Sequence, residues 1–98
     1  MTAIRTLEDI VEDVLRERFD DVDIDDIQVR RDEDHDGDPI LKITVVYNTK
    51  NKKGLDARKT SGIVRVMRPR LDEVNENAFP VVSFVSRSDW KGGPAAAV

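Results

Sequence analysis

Leu7, Ile10, Val11, Val14, Leu15 and Phe19 recur at steps of three and four residues, which sets six apolar side chains along one stripe of an amphipathic helix. Such a stripe is stable only against a second apolar surface, and the rest of the chain must supply it. Thr6 suits the N-cap of this helix, with Asp9 three residues on as a weaker form of the capping box. Glu8 and Asp9 favour its positive end, Arg16 and Arg18 its negative end. The helix is expected to stop near Phe19, where Asp20, Asp21 and Asp23 follow.

The covering surface is read from alternation. Ile27 and Val29 alternate with Gln28 and Arg30, a short strand. After Pro39, "ILKITVVY" is rich in β-branched residues, with Leu41, Ile43, Val45 and Tyr47 on one face. The polar stretch between these runs contains Gly37 and reads as a hairpin connection. A basic loop, Asn48 to Gly54, leads into a second helical pattern from Leu55. Ile63, Met67, Leu71 and Val74 fall on one side of it. Arg58, Arg65 and Arg68 fall on the other, with Gly62 between them. Pro69 is expected to kink this helix, or to split it into pieces near 56–67 and 69–76. Ala78 to Ser86 is a last strand, in which Pro80 favours an edge or a strand start. The reading is an α+β two-layer sandwich of order αββαβ, with a three-stranded sheet and helices on one face. The last strand can return beside the first through the second helix.

Ninety-eight residues suit one domain, placed at 1–90, with 91–98 ("GGPAAAV" preceded by Lys91) read as a disordered tail. The absence of Cys excludes a disulfide scaffold, thiolate zinc sites and a Cys nucleophile. No apolar run approaches the roughly 20 residues of a membrane span, and "MTAIRTLEDI" has no signal-peptide core. The expectation is a soluble, cytoplasmic protein that meets no membrane. Its net charge of −4 is unevenly spread. Residues 1–38 hold fifteen acids and five bases, whereas 50–70 hold eight bases and only Asp56 as an acid. Segregation of this kind can steer partners.

The acidic stretch "RDEDHDGD" raises a metal site. Asp32, Asp34, Asp36, Gly37 and Asp38 follow the first half of the calcium-loop pattern, with hard carboxylate oxygens and a glycine for the turn. The second half departs from it, because Ile43 stands where a bidentate Glu closes the shell. Any calcium bound here is expected to dissociate at about 10⁻⁴–10⁻³ M. His35, the single histidine, could add an imidazole ligand. Catalytic constellations are absent: there is no G-x-S-x-G, no P-loop and no dinucleotide fingerprint. No catalytic residue and no cofactor are assigned, and the chain is read as a non-enzyme.

Lys50, Lys52, Lys53, Arg58, Arg65 and Arg68 could form one positive surface suited to phosphates or to an acidic protein face. With its second helix divided, the element order from Leu7 to Ser86 resembles the type II KH arrangement of RNA-binding domains. That resemblance implies a nucleic-acid-binding module of KH-like architecture. The chain departs from the pattern where the paired helices should carry G-x-x-G, since "VMRPRL" stands there and "NKKG" precedes the helix. Trp90 follows the last strand, where it either folds over a core edge or anchors a partner. The first functional expectation is an interaction domain that binds a protein partner or itself as a homodimer. Nucleic-acid binding is the second and calcium binding the third.

Overall fold

The computed structural model describes residues 3–20, 22–49 and 55–89. The order is α1 (Ile4–Arg18), β1 (Val22–Glu33), β2 (Pro39–Thr49), α2 (Ala57–Ser61), α3 (Ile63–Asp72) and β3 (Phe79–Ser86). The sheet runs β1-β2-β3, antiparallel between the first two strands and parallel between the last two. This is the expected α+β sandwich, with one difference in strand order: β3 lies beside β2, not beside β1. The cause is burial. Leu41, Ile43, Val45 and Val46 of β2 are all essentially inaccessible, so the most apolar strand takes the centre. The charged β1 takes an edge.

Alternation divides the side chains between two faces. Val29 pairs with Ile43 and Ile27 with Val45, while Val82 and Phe84 flank Ile43 and Val45 from the other side. This face receives Leu7, Val11, Val14, Leu15 and Phe19 from α1 and Ile63, Met67 and Leu71 from α3. The stripe is therefore buried as its spacing requires, and Arg58, Arg65 and Arg68 stay in water.

Two local readings are corrected. The first helix begins at Ile4 with Ala3 as N-cap and no side-chain cap, two residues before Thr6. Starting earlier adds Ile4 to the side chains packed against the core, which outweighs a hydroxyl cap worth about 1 kcal/mol. β1 extends over twelve residues, far beyond Ile27–Val29. Its aspartates lie at an edge or on the open face, where water solvates them. The second helical segment is kinked, as expected, with a bend of 39°; it is also divided at Gly62, between α2 and α3. Pro69 stays inside α3. Both Pro69 and Arg65, whose carbonyl loses its amide partner, are on the exposed side, so water can satisfy the freed acceptor.

Gly62 holds the division for a steric reason. Arg18, at the end of α1, donates from Nε to the Lys59 carbonyl at 2.7 Å and from an Nη to the Arg58 carbonyl at 3.3 Å. It thus places a cation on the last carbonyls of α2. A Cβ on residue 62 would collide with the guanidinium. Gly62→Ala is expected to destabilise the domain by about 1 kcal/mol by displacing this cap. In an Arg18→Ala background the same change should become neutral or stabilising, since alanine is the better helix former. Equal effects in the two backgrounds, measured by urea unfolding, would exclude the steric account.

Candidate functional site

The two edges of the sheet differ in kind. The outer edge of β1 carries Asp23, Asp25, Asp26, Asp32 and Glu33, and its register slips between Ile24 and Asp26. Charges and a bulge are the usual protection against pairing with another strand. The outer edge of β3 has neither. From Ala78 to Ser86 the sequence is "AFPVVSFVS", with no charge, and its pairing with β2 is unbroken over eight residues.

The free backbone groups of β3 can be identified. The Arg87 amide donates to the Tyr47 carbonyl, so odd-numbered residues of β3 point their amides and carbonyls at β2. The even-numbered residues Pro80, Val82 and Phe84 point theirs outward, while the Ser86 carbonyl accepts the Asp89 amide. Pro80 has no amide to leave unpaired, which is why a proline fits here. Two of the exposed large apolar side chains among the described residues are on this strand, Phe79 at 48 % and Val81 at 43 %. Beside them is a groove lined by Val64, Arg65, Arg68, Pro69, Asp72 and Phe79. The Arg68 guanidinium lies 5.4 Å from the centre of the Phe79 ring, within cation–π range.

Arg58, Arg65 and Arg68 are exposed, and none of the three forms an ion pair among the described residues. Other bases in the region are engaged. Arg70 faces Asp13 and Glu17 of α1 at 3.8 and 3.9 Å, and Lys59 faces Asp20 at 3.9 Å. Lys50, Lys52, Lys53 and Trp90, together with the 91–98 tail, lie outside the described residues.

The acidic stretch separates into two parts. Asp32 is on β1, where its carboxylate accepts the Glu33 amide and meets Lys42 Nζ of β2 at 3.0 Å. These contacts, the amide first and then the lysine, hold its carboxyl below the usual carboxylate range. Asp34, Asp36 and Asp38 remain in the turn, each offering an oxygen within 4.8 Å of the others. One Asp34 oxygen already accepts the amides of Asp36 and Asp38, which closes the turn around Gly37 at φ 86°. Ile43 is buried in the core strand, so no carboxylate approaches from that position. His35 is exposed, with Nε2 3.6 Å from Asp36.

Sequence reasoning missed one polar pair. Arg31 of β1 is on the helix-covered face, opposite Leu41. It donates to both oxygens of Glu76, at 2.6 and 3.1 Å. The Ala78 amide donates to the same carboxylate. Glu76 is 7 % exposed, and it is delivered by Asn75, which takes φ 59° so that the Glu76 amide returns to the Leu71 carbonyl. The hydrogen bonds to Glu76 raise the Arg31 pKa further. The pair ties β1 to the segment entering β3 and fixes the start of the free edge. Arg31 stands in a run of charged residues, and only the alternation with Val29 marks it as inward-facing.

Comparison of the chain with protein-family models, curated proteins and solved structures finds no match.

Proposed function

We propose that this chain is a non-catalytic interaction domain that docks a protein, either a partner or a second copy, along β3 and the adjoining groove of α3. The observation that supports this reading is the contrast between edges: β1 is guarded by carboxylates and a bulge, whereas β3 is uncharged, apolar and unguarded. An exposed apolar edge of this kind is a template for strand addition and a liability unless covered. The reading is tested by affinity capture from the native cell with the unaltered chain and with Val81→Asp, analysing both protein and nucleic acid. The unaltered chain should retain protein that Val81→Asp loses by roughly tenfold or more, about 1.4 kcal/mol of binding. An identical captured set for both chains defeats the proposal.

A second reading is supported by the exposure of Arg58, Arg65 and Arg68 and by the ring of Phe79 beside Arg68. On that reading the basic helices bind nucleic acid, as the KH-like element order implies. Captured nucleic acid would then survive Val81→Asp, fall steeply with salt, and be lost on Arg58→Ala with Arg65→Ala.

A further inference from the structure

The geometry points to an acidic peptide segment as the occupant of the groove between α3 and the start of β3, with its carboxylates on Arg65 and Arg68 and an apolar side chain on Phe79. This rests on the reading of the chain as a domain that docks a protein, and it specifies the chemistry of the segment that enters the groove.

The arginines of α3 are used in two ways. Arg70 turns to α1 and meets Asp13 and Glu17. Arg65 and Arg68 line the groove instead, and neither forms an ion pair among the described residues. Asp72, four residues beyond Arg68 on the same wall, leaves both unpaired, and arginine ahead of the acid is the weaker order for such a pair on a helix. An exposed arginine alone is only a solvated side chain. Here the Arg68 guanidinium lies over the Phe79 ring, which fixes its plane while leaving its N–H edge free for a carboxylate. A group already held in place loses less freedom on binding. Phe79 remains half-exposed, and Val64 and Pro69 extend the apolar wall beside it. Two unneutralised cations next to an apolar surface call for an anion that carries an apolar neighbour.

Asp72 sets the direction and the size of that ligand. It stands seven residues after Arg65, roughly 10 Å along the helix, the reach of about three extended residues. A short peptide matches this order, with acid at the arginine end, an apolar side chain in the middle and a backbone amide for Asp72 to accept. A run of phosphates does not match, because its repeated charge would bring one phosphate against Asp72. Among the described residues Phe79 is the only Phe or Tyr whose ring is exposed, whereas single-strand binding stacks successive bases on several rings. The net charge of −4 also gives a polyanion no attraction at long range.

The test is selection from a random peptide library displayed on phage, against the unaltered full chain, followed by titration of the selected peptides with a fluorescein label. The selected sequences should place Asp or Glu within a few residues of an apolar side chain. Arg65→Ala and Arg68→Ala should each weaken their binding roughly tenfold, the loss of one charge-assisted hydrogen bond. Arg30→Ala, which removes an exposed arginine of β1 outside the groove, should leave binding unchanged, and circular dichroism should be the same for all three variants. A library that yields no binder, or binders without acids, overturns the inference. So does an equal loss with Arg30→Ala, which would mean attraction to charge in general. Labelled oligouridylate that binds more tightly than the peptides, with the same dependence on Arg65 and Arg68, also overturns it and assigns the groove to nucleic acid. If the library fails while Val81→Asp still strips a captured protein, the groove inference falls and the interaction reading stands. If capture is indifferent to Val81→Asp, that reading itself falls.

Discussion

Phe19→Ala should cost this domain about 3–5 kcal/mol, read as a lower urea midpoint at unchanged slope. Phe19 closes α1 as its C-cap, and its side chain is 1 % exposed. Its ring meets that of Phe84 edge to face, with centroids 5.5 Å apart, a geometry that adds about 0.5–1.5 kcal/mol beyond burial. The residue therefore joins the helix pattern at one end of the chain to the strand at the other. Truncation would leave a void bounded by α1 and β3, which are fixed elsewhere and cannot both close over it. Phe19→Leu keeps most of the volume and should cost less than half as much. A loss under about 1 kcal/mol for alanine would mean that the ring is not part of the core.

Glu76→Ala should cost about 2–4 kcal/mol. The loss arises less from the missing attraction than from what is left behind. Arg31 would keep its charge on the covered face with its main acceptor gone, and the Ala78 amide would lose its partner. Arg31 is one-quarter exposed, so water relieves part of this, which keeps the estimate below that for a fully buried pair. Replacing both partners by apolar residues of similar size, Arg31→Met with Glu76→Leu, should recover most of the loss. Because the pair raises the arginine pKa in the folded state, its contribution is present below the unfolded value and lost only as pH rises through the folded one, in strong alkali. Across ordinary pH the Arg31 side of the contact should be constant. A double variant no more stable than Glu76→Ala alone would show that packing, not unpaired charge, sets the effect.

The helices and strands were legible wherever the periodicity was carried by apolar residues. Leu7 to Phe19, Leu41 to Val45 and Ile63 to Leu71 are buried on the faces that their spacing dictates. Legibility failed where tertiary position overrode local preference. Val22 to Asp26 is rich in aspartate, a poor strand former, yet it pairs because an edge strand leaves those carboxylates in water. Gly62 was visible but Pro69 carried the stronger breaker signal. The structure divides at the glycine because Arg18, 44 residues earlier in the chain, packs against it, and such a contact has no local signature. The basic arginines of α2 and α3 were legible as a solvated face. The bare edge of β3 was not, since strand order decides which strand has a free side. The Arg31–Glu76 pair joins two segments 45 residues apart, with nothing in either to indicate the other.

The parallel pairing of β3 has a consequence for how the chain reaches this structure. Every partner pair between β2 and β3 is 39 residues apart, from Ile40 and Phe79 to Tyr47 and Ser86, whereas β1 and β2 meet across a tight turn. Local contacts form early because little loop entropy opposes them, and distant ones follow. The hairpin and α1 can therefore assemble while "FPVVSFVS" is still unattached, an uncharged β-prone segment of the kind that seeds aggregates. Refolding yield should fall as protein concentration rises, and β3 should acquire amide protection last.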